Sequence, residues 1–94
     1  DNLLTDIKSI ELNKILDYIA QDSFEYALTF YEQVHEKVHN LRYFPKIGRK
    51  VPELDDTNIR ELIFKNYRVI YRILEDKIQI IRIFHGSRIL DFEF

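Results

Sequence analysis

The sequence contains no cysteine and no methionine, and only two glycines and two prolines among its 94 residues. Without cysteine, a disulfide scaffold and a thiolate zinc site are excluded. So few glycines and prolines leave no Gly-rich phosphate loop, no collagen-like repeat and no Pro-rich linker. Long apolar runs are missing too. The richest stretch, Ile78 to Phe84, is broken by Gln79 and Arg82, well short of the roughly 18 residues of a membrane helix. The lack of methionine predicts that the initiator, and some N-terminal sequence with it, lies outside this chain. Asp1 to Thr5 carries no basic residue, so no signal peptide is read and a cytoplasmic location is expected.

What remains is an ordinary soluble composition, 46% hydrophobic and 32% charged, of a length that fits one domain over 1–94. The formal net charge of −2 argues against a generic nucleic-acid binder. That value hides an asymmetry. Residues 1–41 hold three lysines against eight acidic residues, a balance of −5; residues 42–94 hold eleven Lys and Arg against eight acidic residues, a balance of +3. All seven arginines, Arg42, Arg49, Arg60, Arg68, Arg72, Arg82 and Arg88, lie in the second part. Arginine's planar fork suits phosphate and carboxylate, although outward-facing strand residues are commonly just solvated charges.

Hydrophobic periodicity divides the chain into a helical hairpin over 1–44, a loop over 45–58 and an antiparallel sheet over 59–90. Leu12, Ile15, Leu16 and Ile19 have helical spacing. Leu3, Leu4, Ile7 and Ile10 lie on a rotated face. They fit either one long helix or a short extended piece before a helix that starts near Thr5 to Ser9. Asp22-Ser23-Phe24-Glu25 has the form of a capping box with Asp22 as the cap, though Ser23 can also cap. The apolar stripe Phe24, Ala27, Leu28, Tyr31, Val34, Val38 and Leu41 follows, and Pro45 stops it. Strands are predicted over Ile59–Phe64, Arg68–Leu74 and Ile78–His85, with turns at Lys65-Asn66-Tyr67 and Glu75-Asp76-Lys77. The fold class is therefore α+β, a helical hairpin on a β-meander. The period of two places Val69, Tyr71, Ile73, Ile81 and Ile83 against the helices. The arginines are then expected on the open face, as a positively charged surface.

Two features invite a catalytic reading. His35-Glu36-Lys37-Val38-His39 has the H-E-x-x-H form of zinc proteases. It lacks a third ligand, and strands follow the helix directly, so no metal site is assigned and no cofactor is expected. His85, near Arg88, either hydrogen-bonds locally at a strand end or serves as a general acid or base.

Five blocks carry a family resemblance. Leu41 to Glu53 (LRYFPKIGRKVPE) looks like the L-x-x-F-P-x-x-G-R-x-V-P-E segment of ParE-type toxins. Ile59-Arg60-Glu61-Leu62, Asn66 to Ile73 (NYRVIYRI) and Ile81 to Arg88 (IRIFHGSR) follow in order. Asp17 to Ser23 resembles the family's first-helix ending. The match runs from about Leu12 to Leu90 and points to the RelE/ParE superfamily, the toxins of type II toxin–antitoxin modules and plasmid stabilisation proteins. This resemblance implies the helical hairpin on an antiparallel sheet, with an additional strand before the first helix for which at most Asn2 to Thr5 is available.

The superfamily has two functional branches. RelE-like members cut mRNA on the ribosome, and ParE-like members are associated with inhibition of DNA gyrase. Arg68 matches an arginine of the RNase branch, but that branch's lysine pair falls near Ile59 and Glu61. An acid at Glu61 disfavours phosphodiester cleavage, and His85-Gly86-Ser87-Arg88 also looks like ParE. The resemblance thus implies a toxin that binds DNA gyrase and is neutralised by a cognate antitoxin. Arg49, Arg72, Arg82 and Arg88 are the target-binding candidates; Ile70, Phe84, Phe92 and Phe94 are the antitoxin-binding candidates. Arg68, with Arg60 and Glu61 nearby, could instead be structural, since charged strand residues commonly pair across a sheet. The alternatives are an mRNA endoribonuclease, with Arg68, His85 and Arg88 as its catalytic candidates, and a non-toxic binding module derived from a toxin.

Overall fold

The computed structural model describes residues 4–6 and 10–86. A short strand β1 (Leu4–Asp6) leads to two helices, α1 (Ile10–Asp22) and α2 (Phe24–Asn40). Four strands follow: β2 (Arg49–Lys50), β3 (Ile59–Phe64), β4 (Tyr67–Ile73) and β5 (Lys77–His85). Their order across the sheet is β1-β5-β4-β3-β2. The four C-terminal strands are antiparallel, and β1 joins β5 in parallel. The open choice at the N-terminus is thus settled in favour of an extended piece before the helix. The segment 45–58 is not all loop, since β2 pairs Arg49 with Glu61 and Lys50 with Arg60.

Ser23 alone separates the helices. Its extended backbone breaks the helical run, and its hydroxyl accepts from the Tyr26 N–H at 3.1 Å. The cap is therefore Ser23, and Asp22 ends α1 instead of opening a capping box. Replacing Ser23 by alanine removes that acceptor and is expected to cost about 1 kcal/mol, read as a lower melting midpoint; Ser23→Asp should restore it.

The helices cover one face of the sheet. α2 contributes Phe30, Val34 and Val38 to the main core, with Leu41 just beyond its end, and α1 contributes Leu12. Ile15, Leu16 and Ile19 of α1 pack at its margin. The α2 stripe differs in phase from the sequence reading. Phe30 is buried, whereas Phe24, Leu28 and Tyr31 are exposed. Two apolar stripes share this helix, and only Ala27, Phe30, Val34 and Val38 face inward.

A β-bulge resets the faces of β5. Ile70 opposes Arg82 but Tyr71 opposes Ile80, so Ile81 is the extra residue. Before the bulge Ile83 shares the helix face with Val69; after it, Ile80 and Ile78 share that face with Tyr71 and Ile73. Ile81 packs on the opposite face. Its predicted contact with the helices is incorrect because strict alternation does not survive an inserted residue.

The opposite face is not open either. Val51 and Leu54, from the segment between β2 and β3, close over Ile59, Ile70, Ile81 and Phe84 as a second apolar cluster.

Candidate functional site: the arginine face and its loop

On this second face the arginines are stitched together by carboxylates. Arg49 of β2 donates through Nε to Glu61 Oε2. Glu61 of β3 accepts at its other oxygen from Arg68 Nε at 2.6 Å. Arg68 of β4 also makes a two-pronged pair with Glu53, at 2.7 and 2.8 Å. Its guanidinium lies 5.4 Å from the Phe84 ring centre, and the Arg82 guanidinium is 5.3 Å from the same centre. Arg82 in turn donates to Glu11 of α1 at 3.1 Å. The ladder runs from β2 across the sheet to the first helix.

Three arginines meet three carboxylates in this ladder, so its formal charge is zero. The expected positively charged open face is therefore replaced by a neutralised network, buried at Arg68 and Glu61 and partly exposed at its other members. Sequence alternation places charges on a face but is blind to what covers them. Glu53 and Leu54 arrive from a segment with no periodic pattern.

Glu11 has a further task. β1 pairs only with Lys77 to Gln79 of β5. Farther along that edge, the Glu11 carboxylate accepts the Ile83 N–H at 3.0 Å. A donor that would otherwise be open to strand pairing is thereby satisfied.

Electrostatics follow the geometry. The hydrogen bonds from Arg68 hold the Glu53 carboxyl below the ordinary carboxylate range, against an opposing desolvation effect. The same two carboxylates push Arg68 above its usual value, Glu53 most strongly, so it stays charged at any working pH. A carboxyl depressed in the folded state stabilises above its unfolded pKa, about 4.5 here, and that stability is lost as pH falls through the folded value. The melting midpoint is expected to drop between about pH 5 and pH 3 less steeply in Glu53→Gln than in the wild type. Equal slopes would contradict the role given to Glu53.

The other predicted site residues divide clearly. Arg72 is half-buried, opposite Ile59 and Gln79. Ile70 and Phe84, read as antitoxin contacts, are buried under Val51 and Leu54. Arg88, Phe92 and Phe94 lie outside the described residues. Arg68 and His85 both line an open groove of about 650 Å³ at the β3–β4 turn, with Arg49, Glu53 and Lys65. They nevertheless lie on opposite sheet faces: Arg68 opposes Phe84, whereas His85 opposes Tyr67 and meets its ring edge-on at 5.5 Å. His35 and His39 meet at a tilt on α2, with ring centres 4.9 Å apart. Local desolvation, then the Arg42 and His35 charges, lowers the pKa of His39, although the side chain is exposed. Among the described residues no group of three or more His, Cys, Asp or Glu is placed to hold a metal. No described helix is long and apolar enough to cross a membrane.

Sequence reasoning missed Tyr71 as an organiser. Fully buried at the sheet's centre, it donates its hydroxyl to the Pro45 carbonyl at 2.7 Å and accepts the Gly48 N–H at 3.0 Å. Arg60 adds a bond from Nη1 to the Gly48 carbonyl at 2.9 Å. A Cβ on Gly48 would stand 2.6 Å from both the Glu61 carbonyl oxygen and the Tyr71 hydroxyl, so this close approach requires glycine. The available signal was the block FPKIGR itself, which places a lone glycine between an exposed loop and a strand.

Comparison with known proteins agrees with this architecture. No curated protein sequence matches the chain. A solved structure titled "Chromosomal ParDE TA system from P. aeruginosa" shares the fold, with a TM-score of 0.70 and 24% identity over 92% of this chain and 96% of that one. The profile for the ParE toxin of the type II toxin–antitoxin system parDE matches residues 10–90. The match includes both helices, the tethered loop and the arginine ladder, and the chain belongs to the ParE toxin family.

Proposed function

We propose that this ParE-family toxin acts by binding a protein target, DNA gyrase, rather than by cutting RNA, and that a cognate antitoxin neutralises it. The observation that carries this reading is the fate of Arg68. A phosphate-binding arginine needs free N–H donors aimed at the substrate. Three of the five N–H donors of Arg68, one each on Nε, Nη1 and Nη2, are committed to Glu61 and Glu53, and the side chain is only 9% exposed. Two carboxylates beside the would-be scissile phosphate also repel it. His85, the proton-transfer candidate, shares the groove at the β3–β4 turn with Arg68 but stands on the other face of the sheet. Arg49, with its side chain 59% exposed, is the most exposed of the described target candidates.

Exposed apolar side chains on α2 support antitoxin binding. Phe24, Leu28 and Tyr31 form one stripe at helical spacing, with Phe24 73% exposed. An amphipathic antitoxin segment lying on this stripe would bury it. On this reading the antitoxin lies on the helices rather than on the buried Ile70 and Phe84.

Induction in growing cells tests the reading. Growth should stop, gyrase-linked DNA breaks should accumulate, and mRNA ends should stay unchanged. Codon-phased mRNA cleavage would favour the endoribonuclease alternative. Normal growth at confirmed soluble expression would favour a non-toxic binding module.

A further inference from the structure

The segment between α2 and β2 combines three properties. Arg42, Lys46, Arg49 and Lys50 are cationic, and no acidic residue occurs from Arg42 to Pro52. Tyr43, Phe44 and Ile47 are exposed, Phe44 at 63% and Ile47 at 64%, although each is a large apolar side chain. The backbone that presents them is tied down by the buried Tyr71 hydroxyl and by Arg60. A rigid loop that holds apolar groups in water loses little conformational entropy on binding. Its apolar members are available for burial.

We propose that this loop, residues 42–50, is the surface by which the toxin grips its target, and that it fits an apolar recess on a protein rimmed by carboxylates. The inference rests on the protein-target reading above and specifies its contact. Charge decides the rim. The arginine ladder is neutral within itself, while Lys46 and Lys50 make no ion pair with any described residue. Uncompensated cations around an apolar tip match carboxylates around an apolar recess. Side-chain type decides the class of partner. Single-stranded nucleic acid is held by aromatic faces on which bases stack, whereas Pro45 and Ile47 offer aliphatic surface beside Phe44. The loop is also separate from the Phe24–Leu28–Tyr31 stripe in sequence, so the two surfaces can be altered independently.

The test compares the full-length toxin with Phe44→Ser/Ile47→Ser and with Lys46→Glu/Lys50→Glu. Melting midpoints confirm folding, binding to purified DNA gyrase is measured at low and high salt, and growth arrest is scored at matched soluble expression. The apolar double variant is expected to bind at least ~10-fold more weakly and to lose growth arrest. The charge variant is expected to associate more slowly, mainly at low salt. If the wild type binds gyrase and both folded variants bind it equally well, the loop proposal is overturned while the gyrase reading stands. If the wild type arrests growth without binding gyrase, the gyrase reading fails. The loop is then decided by growth: loss of arrest in the apolar variant supports it, and unchanged arrest overturns it. Recovery of the wild-type affinity for duplex DNA, with loss in both variants and no protein binding, would overturn the protein-recess assignment. A wild type that neither binds gyrase nor arrests growth would overturn both proposals.

Discussion

Replacing Glu61 by alanine is expected to destabilise the protein by about 3–5 kcal/mol, the usual result of removing one partner from a buried ion pair. Glu61 has no exposed side-chain surface, and its two oxygens serve Arg49 and Arg68. Without it, Arg68, only 9% exposed, retains Glu53 but leaves its Nε donor unpaired in the interior. At about 4–8 °C per kcal/mol for a domain of this size, the melting midpoint should fall by at least ~12 °C. Arg49→Ala should cost less, about 1–3 kcal/mol, because Arg49 is largely in solvent and its removal leaves Glu61 Oε2 without its donor while Arg68 still holds the other oxygen. A Glu61→Ala protein melting within a few degrees of wild type would show that the ladder is not a structural element. Arg68 would then have to be reconsidered as a functional cation.

Phe30→Ala is expected to cost a similar amount, about 3–5 kcal/mol. Phe30 is 2% exposed and meets Phe64 and Tyr67 edge-on, with ring centres 5.1 and 5.4 Å away. Its loss leaves a cavity between α2 and the β3–β4 hairpin that neighbouring rings fill only in part. Leu28→Ala, two residues away on the exposed stripe, should change stability by less than ~0.5 kcal/mol and should weaken antitoxin binding instead. Thermal melting of the two variants separates the core stripe from the outer one. Equal losses would mean that the stripe assignment on α2 is wrong.

The contrast between these two residues shows what was legible in the sequence. The order of helices and strands followed from periodicity, and Ile59–Phe64 matches β3 residue for residue. The phase of α2 did not follow, because Phe24, Leu28 and Tyr31 form an apolar stripe as regular as the buried one. A chain that keeps apolar groups for a partner looks, in sequence, as if it had a broader core. Ile81 was misplaced for a different reason. A bulge leaves no mark in a run of isoleucines, and one inserted residue reverses the face of everything beyond it.

The site was legible in parts. Pairing of Arg68 with Glu61 is a short-range, cross-strand relation that strand register makes visible. The contributions of Glu53 and Glu11 are not of that kind. Glu53 arrives from a segment without periodicity, and Glu11 reaches β5 across 71 positions of sequence. Tyr71 was correctly placed on the helix side, but its hydroxyl bonds to Pro45 and Gly48 depend on a loop path that no local pattern encodes. The acidic helices and arginine-rich sheet, −5 and +3 by sequence, are joined by the Glu11–Arg82 pair. Arg49, Arg68 and Arg82 are paired within the fold, and among the described residues the loop after α2 is an exposed cationic surface.

The central claim is that this toxin works by binding and not by phosphodiester cleavage. The most direct measurement adds the purified protein, over a range of concentrations, to a gyrase supercoiling reaction and in parallel to an RNA substrate with and without ribosomes. The account predicts dose-dependent loss of supercoiling and intact RNA. Unimpaired supercoiling together with RNA cleavage that disappears in Arg68→Ala would contradict it.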